Sequence, residues 1–488
     1  MDKEIFQTKK VYYTLIILLF IVGFFIRSLV YSFNYDIYED DECRLLIAYL
    51  EQSWWGCFLP LKYAQSAPPL FIIFQRLIGA IFDYKEWVLK LIPLLASFAS
   101  IFVFYKISKK FFKYKLSIIL SLLLFAINAR IAYFSSIIKQ YSTDILIGLL
   151  CIYFLHNLKI RDLSRKQILI LTVILIILPF ISLPSIFFIA SFFLLNWFEN
   201  IKDKTFYKKA ICIALPFIGT MLAYYIFNLH PSQVSLTSAY GHSWEIGYAA
   251  GGKVFFLSTI GTNLAWFFIP CKFVLFQLAL LMFGLYYAYR EKSSLHKYLL
   301  ISFSLTIFAS LLDLYPFYNR VSLYILVPMI LFLVKPLDVV IKSKQFITFF
   351  IIFLIAFNGY NQNYIKEWRG ESMQIPSSPE YITQILVEKY DPKTDVVFLN
   401  EASASSLVFY GSLKGFENKD TRVLPSYDET SKDIFKDIDP NKFYWLYLIK
   451  DYPKSPQYEI LLKALDSYKI YSYYSDRYSH LIKFGVRK

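Results

Sequence analysis

The sequence predicts a polytopic α-helical membrane protein with a small C-terminal α/β domain. Apolar residues make up 57% of the 488 residues, and aromatic residues make up 20%. Several apolar runs reach the roughly 20 residues that a helix needs to cross a bilayer. After about residue 361, prolines, charged residues and short β-type segments replace these runs. Composition therefore divides the chain into a membrane part and a water-exposed part.

The first apolar run, residues 11–33, follows Lys9 and Lys10. It is too long for a signal peptide, and no small-residue cleavage site follows it. Basic residues beside a span stay in the cytoplasm, so we expect a retained helix with a cytoplasmic N-terminus. Residues 34–86 then form the first outer loop.

The run at residues 69–82 decides the number of spans. Its fourteen residues favour a re-entrant or interfacial helix over a spanning one. The next basic loop, from Lys109 to Lys115, and every later basic loop then face the cytoplasm, whereas a crossing would place them all outside. The result is eleven spans with the C-terminus outside. The predicted spans are residues 11–33, 87–107, 116–133, 145–158, 168–180, 186–198, 210–227, 273–289, 299–315, 321–334 and 346–357.

These spans define two domains. Residues 1–360 form the membrane domain, in which the long outer loop 229–262 is a predicted lid, and residues 361–488 form an outer α/β domain of typical size. The histidines of the lid, His230 and His242, are expected at its surface rather than on a metal. The C-terminal domain has predicted strands at residues 396–400, 443–449, 469–474 and 480–485 and predicted helices at residues 380–389 and 458–465.

Charge and cysteine content exclude several classes. The net charge is +15, but the Lys and Arg residues are spread over loops instead of forming one patch, which argues against a nucleic-acid partner. The sequence has no CxxC pair and no histidine cluster, so neither a zinc site nor a disulfide framework is indicated. Cys43 and Cys57 share the first outer loop, and a disulfide between them stays open, because spacing does not fix their geometry.

An acidic cluster, Asp40-Asp41-Glu42, begins the chemical argument. Carboxylates at the mouth of a membrane bundle are costly unless they are functional. One of them could act as general base, taking a proton from an attacking hydroxyl or amine. The structural alternative is a helix start in which Asp40 caps a helix over residues 41–53.

Four segments in order strengthen the functional alternative. They are YEDDECRLLIAYLEQ, APPLFIIFQRLIGAIFDYKEWVLKLIP, KKFFKYKLSIILSLLL and IKQYSTDILIGLL. Together they resemble the polyprenyl-phosphate-dependent membrane glycosyltransferases of the GT-C class, in particular the family 39 and aminoarabinose-transferase-like branch related to protein O-mannosyltransferases. The resemblance covers roughly residues 10–340. It implies the GT-C fold, a polyprenyl-phosphate sugar donor, a lipid, glycan or protein acceptor, and the bacterial cytoplasmic membrane.

The resemblance also implies roles for the first outer loop. Asp41 matches the family's candidate base and Glu42 lies beside it, while Asp40 leaves the assignment open by one residue. Arg44 matches an arginine that could bind phosphate or orient the carboxylate. Its alternative is a surface cation paired with Asp40 at i+4. Pro68 and Pro69 open the short helix that would wall the same cavity.

Two further segments carry implied site residues. Lys139 and Tyr141 stand where family members carry an Arg and a Tyr, and Asp144 could match the family's second Asp or simply cap the span starting at residue 145. Arg320 resembles an arginine at the mouth of a late span, where a guanidinium can hold a lipid phosphate. The alternative for Arg320 is snorkelling at the interface. Lys139 is a weaker candidate for the phosphate.

The predicted function is therefore inverting sugar transfer at the outer face. A transporter or flippase of lipid-linked sugars is a second hypothesis, although no internal repeat typical of transporters is present. A noncatalytic assembly factor that docks through its C-terminal domain is a third. Metal dependence stays open, because outer-loop carboxylates could bind a divalent cation.

Overall fold

The chain forms two compact units. One contains Met1–Phe33 and Trp54–Trp368 and is called the bundle unit; the other contains Asn34–Ser53 and Arg369–Lys488 and is called the sheet unit. The division differs from the predicted boundary because residues 34–53 belong to the sheet unit. The computed structural model describes residues 9–34, 40–240, 274–312, 314–317, 319–340, 379–399, 401–413, 416, 421–424, 435, 438–449, 464–475 and 479–486.

The bundle unit consists of helices that follow the predicted apolar runs. Ten of the predicted spans overlap with helices of the described residues. The eleventh, residues 346–357, lies outside the described residues. The helices are α1 (Lys9–Asn34), α3 (Pro69–Ile81), α4 (Glu86–Phe111), α5 (Lys115–Ala126), α6 (Ala129–Phe134), α7 (Tyr141–Leu155), α8 (Arg165–Ile181), α9 (Ser185–Glu199), α10 (Lys204–Tyr224), α11 (His230–Tyr240), α12 (Val274–Arg290), α13 (Ser294–Leu311) and α14 (Leu326–Val340), while α2 (Asp40–Leu50) belongs to the sheet unit.

Five of the described helical stretches are long and apolar enough to cross a membrane, and four shorter helices are also apolar. The long ones are Lys9–Asn34, Glu86–Phe111, Lys204–Ser238, Ser294–Leu311 and Arg320–Val340. The run at residues 69–82 forms the short helix α3, as its length predicts. These helices fit an α-helical membrane protein.

The predicted span 116–133 is broken near its middle. Helix α5 ends at Ala126, and the Asn128 side chain then accepts a hydrogen bond from the Ile131 backbone N–H at 3.0 Å, so that it caps α6. Buried Arg27 of α1 satisfies the carbonyls left at the end of α5. Its guanidinium donates to Ala126 O at 2.7 Å and to Phe125 O at 3.3 Å, where the partial negative charge of the helix C-terminus favours a cation.

The first part of the predicted outer loop 229–262 is helical. A π-helical turn, Tyr225–Leu229, joins α10 to α11, and the helix continues to Tyr240. A loss of apolar residues signals that a helix leaves the hydrocarbon, but it does not end the helix. The rest of this loop, including His242, lies outside the described residues.

The ends of helices α4, α12, α13 and α14 meet in a cluster of paired charges, here called the basic end. Lys335 has 2% of its side chain exposed, and its Nζ lies 3.5 Å from Glu291 Oε1 and 3.3 Å from Asp338 Oδ2. Lys113 Nζ contacts the same Glu291 oxygen at 3.0 Å, and the Lys113 backbone N–H donates to Asp338 at 3.1 Å. Close packing supports the cluster, because Gly284 of α12 lies directly against the backbone of Phe332 in α14.

The sheet unit contains a five-stranded mixed sheet in the order β2-β1-β3-β5-β4. Strand β1 is parallel to β2 and β3, whereas β5 is antiparallel to β3 and β4. The four predicted strands are present, and part of the predicted helix 458–465 lies outside the described residues. The strands and helices are α15 (Pro379–Lys389), β1 (Asp395–Leu399), α16 (Glu401–Leu413), β2 (Thr421–Val423), β3 (Phe443–Ile449), β4 (Lys469–Ser475) and β5 (Ser479–Gly485).

Both faces of this sheet are covered. Along β1, Val396 and Phe398 join one apolar core, while Val397 and Leu399 join the other, which includes residues of α15 and α16. An uninterrupted apolar strand is typical of burial on both faces. At the start of β1, fully buried Asp395 accepts hydrogen bonds from Trp445 Nε1 at 2.7 Å and from Lys483 Nζ at 3.0 Å, which joins β1, β3 and β5.

Candidate functional site

Lys139 and the proline segment come together in the bundle unit. Lys139 precedes α7, and only 5% of its surface is exposed. Its Nζ donates a hydrogen bond to Gln65 Oε1 at 2.7 Å. Gln65 lies three residues before Pro68, which is the extended N-cap of α3, and Pro69 occupies the first helical turn, where its missing N–H costs nothing. The structure thus joins two segments that the sequence selected separately.

Asp144 lies inside α7 instead of capping it. The helix begins at Tyr141 after Gln140, and the Asp144 backbone N–H already donates to Gln140 O at 2.8 Å. The prediction that Asp144 caps a span from residue 145 is therefore wrong, because the polar residues Tyr141 to Asp144 form the first helical turn. Asp144 has 4% exposure, and its Oδ1 has no hydrogen-bond partner among the described residues.

Three hydroxyls of neighbouring segments, on Thr143, Ser182 and Ser185, are also buried. Thr143 Oγ1 and Ser185 Oγ have no hydrogen-bond partner among the residues that the structure describes, and Ser182 Oγ interacts weakly with the Asp144 carboxyl. Ser182 ends α8 and neighbours Asp144, and Ser185 begins α9. A buried polar atom without a partner costs about 1–3 kcal/mol. This set, Thr143, Asp144, Ser182 and Ser185, is called the polar-turn cluster; such a set is typical of a site completed by a ligand or by water.

Arg320 is carried by a 3₁₀ segment, Asn319–Ile325, that packs against α7. Its side chain is exposed. Farther along the segment, the Tyr324 hydroxyl is buried near Asp144 and lies 3.5 Å from Thr306 Oγ1. The predicted phosphate ligand and the polar-turn cluster therefore belong to neighbouring elements of one unit, at the ends of α7 and α9 opposite the basic loops.

The acidic cluster lies on α2 in the sheet unit. Helix α2 begins at Asp40 itself and ends at Leu50, so the predicted helix 41–53 with an Asp40 cap is shifted. Glu42 is fully buried, whereas Asp41 and Arg44 are half-buried. Of Asp41 and Glu42, Asp41 is the carboxylate that solvent can reach; the Asp40 side chain lies outside what the structure describes.

The structure answers the question of a disulfide in the first outer loop. Cys43 and Cys57 are buried thiols, not halves of a disulfide. Among the residues that the structure describes, no group of three or more His, Cys, Asp and Glu side chains could hold a metal ion.

Gln65, Ser182 and Ser185 escaped the sequence analysis. The signal for the two serines is a polar interruption, Ser182-Leu183-Pro184-Ser185, between two apolar runs. Gln65 had no comparable signal, because its contact with Lys139 spans 74 positions of the chain.

The overall fold is similar to that of solved structures of two membrane proteins. ArnT from Cupriavidus metallidurans, bound to undecaprenyl phosphate, matches with a TM-score of 0.53 and 10% identity over 96% of this chain and 97% of that chain. The oligosaccharyltransferase AglB from Archaeoglobus fulgidus, in complex with an inhibitory peptide and a dolichol-phosphate, matches with a TM-score of 0.52 and 12% identity over 98% and 74%.

No protein-family model matches the chain, and no curated protein matches it by sequence. At identities this low the likeness shows the fold, while the chemistry has to be argued from the site residues.

Proposed function

We propose that the protein is a membrane glycosyltransferase that moves a sugar from a polyprenyl-phosphate donor to a hydroxyl or amine acceptor. The observation that carries this proposal is the likeness over nearly the whole chain to a structure that contains undecaprenyl phosphate, together with a second structure that contains dolichol-phosphate. Lipid, glycan and protein acceptors are all compatible with it.

The proposed location is the bacterial cytoplasmic membrane, with the N-terminus inside and the C-terminal domain outside. The distribution of Lys and Arg supports this orientation, because the basic loops fall on one side when residues 69–82 do not cross. Transfer would then occur at the outer face.

Asp41 is the proposed general base. Its carboxylate takes the proton of the acceptor as the acceptor oxygen or nitrogen attacks the anomeric carbon. The bond between that carbon and the phosphate oxygen breaks, and the polyprenyl phosphate leaves with the electron pair. One displacement inverts the configuration of the sugar. The half-exposed Asp41 beside fully buried Glu42 supports this choice.

Positively charged side chains are proposed to bind the phosphate of the lipid donor. Arg320 is the first choice, because an exposed guanidinium can bind a phosphate through two parallel hydrogen bonds and offset the charge that develops on the leaving group. Lys139 and Arg44 are the further candidates. Pro68, Pro69, Tyr141 and Asp144 are assigned to the substrate cavity, which the Lys139–Gln65 contact and the buried Asp144 support.

Replacing Asp41 by Asn in the purified full-length protein tests the base. We expect kcat for transfer from undecaprenyl-phosphate-linked sugars to fall about 10²–10⁴-fold, because general-base catalysis contributes that much. Asp40→Asn is the matched control, with a smaller expected loss. Undiminished transfer by Asp41→Asn would reject the assignment, and a larger loss in Asp40→Asn would move the base by one residue.

Two measurements separate this proposal from its alternatives. Consumption of a polyprenyl-linked sugar by the protein in reconstituted vesicles distinguishes an enzyme from a flippase or an assembly factor. NMR of the product checks the stereochemistry, and retention of configuration would rule out a single displacement.

A further inference from the structure

Helix α2 belongs to the first outer loop in sequence, but it packs inside the sheet unit. Its partner is α16, which lies more than 350 positions later in the chain. The Cys43 Sγ of α2 lies 3.9 Å from the Ser406 Oγ of α16, and both side chains are buried. On α2 the run from Leu45 to Tyr49 is buried without interruption. This helix is therefore a part of the domain core.

Helix α16 is itself fixed on the sheet. The Ser403 Oγ donates to Tyr447 O of β3 at 2.8 Å, and Leu407, one helical turn later, enters the core on that face of the sheet. Ser406 points toward α2 from the adjacent face of the same helix. Small side chains around Ser406 allow the two helices to approach closely. The sheet thus holds α16, and α16 holds α2.

This packing fixes the direction in which the acidic cluster points. Successive residues of an α-helix are rotated by about 100°, so Asp41 lies about 200° around α2 from Cys43. With Cys43 turned toward Ser406, Asp41 faces away from α16 and keeps part of its surface exposed.

We propose that the sheet unit is the platform that orients Asp41, with Ser406 as a positioning residue that acts through Cys43. The inference rests on the proposed role of Asp41 as base. It gives the C-terminal domain a part in sugar transfer itself, in contrast to the docking function that the sequence left open.

A disulfide tests the packing without any assay of activity. In the full-length Ser406→Cys variant, mild oxidation should join residue 406 to Cys43, as peptide mapping without reductant would show. The same variant carrying Cys43→Ser is the control and should give no such peptide. Failure of the folded variant to form the disulfide would overturn the inference.

A second variant tests the positioning. Ser406→Met puts a longer side chain against Cys43, and a displacement of about 1 Å at a catalytic group costs on the order of 10²-fold in rate. We expect kcat to fall with little change in KM for the lipid donor, and the acid limb of the pH–rate profile to move. Tyr381→Met, at a position on α15 that is 58% exposed, is the matched control.

The two proposals fail differently. If the wild-type protein transfers no sugar while the disulfide forms, the proposed function is wrong and the packing of α2 stands. If the wild-type protein is active and folded Ser406→Met has an unchanged kcat and pH profile, the positioning role alone is wrong.

Discussion

The two ends of the bundle unit treat buried charge in opposite ways. At the basic end, buried Lys335 lies within 3.5 Å of two carboxylates, and Lys113 shares both of these acidic partners. In the polar-turn cluster, Asp144 is almost as deeply buried, but no cation among the described residues lies within ion-pair distance of it.

This difference separates stability from function. A buried ion pair that is complete costs little, whereas removing one partner leaves a charge that is expensive to keep out of water. A buried acid without a cationic partner lowers stability, and proteins keep such residues where they act on a substrate. Mutations at the two ends should therefore have effects of opposite sign.

The largest effect is expected at the basic end. Asp338→Ala leaves Lys335 with Glu291 alone, in a site where only 2% of the Lys335 side chain is exposed. Breaking a buried pair costs about 3–5 kcal/mol, so the free energy of unfolding should fall by that order. Thermal unfolding of the purified protein in detergent measures it. Asp338→Asn, which keeps an oxygen for the Lys113 backbone N–H, is the milder control, and an unchanged melting temperature in Asp338→Ala would show that the pairing contributes nothing.

Asp144→Asn should act in the opposite direction. A neutral amide is cheaper to bury than a carboxylate, so stability should stay constant or rise by about 1 kcal/mol. Transfer activity should fall at least about tenfold if the carboxylate contacts the substrate. Melting temperature and kcat, measured on the same preparation, check both. The control is Asp162→Asn, whose side chain is 59% exposed. A destabilised but active Asp144→Asn variant would make Asp144 a structural residue.

The helices of the bundle unit could be predicted from the sequence, because the length of an apolar run is enough to predict a helix there. The break after Ala126 could not, since its signal is one Asn inside an apolar run and its stabilisation comes from Arg27, about 100 positions earlier. The continuation of the helix through Tyr240 could not be predicted, because a polar segment has a similar composition in a helix and in a loop. Both errors concern where a helix ends, which local composition determines poorly.

The candidate site shows a similar limit. Asp41, Lys139, Asp144 and Arg320 could be selected from motifs, since residue type and position relative to the spans are local properties. The place of α2 in the sheet unit could not be predicted, because its burial depends on α16. Proximity of Ser182 to Asp144 likewise depends on how α7 and α8 pack.

The smallest expected effect is on how stability depends on pH, through the Lys113–Glu291 pair at the basic end. The Lys113 ammonium donates a hydrogen bond to Glu291 and lowers the pKa of that carboxyl, while the same bond raises the pKa of Lys113. Because the Glu291 pKa is depressed on folding, its contribution is present above the unfolded value of about 4.3 and is lost as pH falls through the folded value. The Lys113 contribution is present below about pH 10.4 and is lost only above it.

Glu291→Gln should therefore flatten the acid side of the stability curve. The change should be about 0–1 kcal/mol, because 66% of the Lys113 side chain and 29% of the Glu291 side chain are exposed, so that solvent screens the pair. Buried Asp338 still compensates the charge of Lys335 in this variant. Melting temperatures between about pH 3 and pH 7, at low and high salt, measure it, and Glu199→Gln, at an exposed end of α9, is the matched control. If wild type and Glu291→Gln lose stability in parallel on acidification, the acid limb arises from other carboxylates. Lys335 would then depend on Asp338 for its compensation, and the larger loss expected for Asp338→Ala would follow from that pair alone.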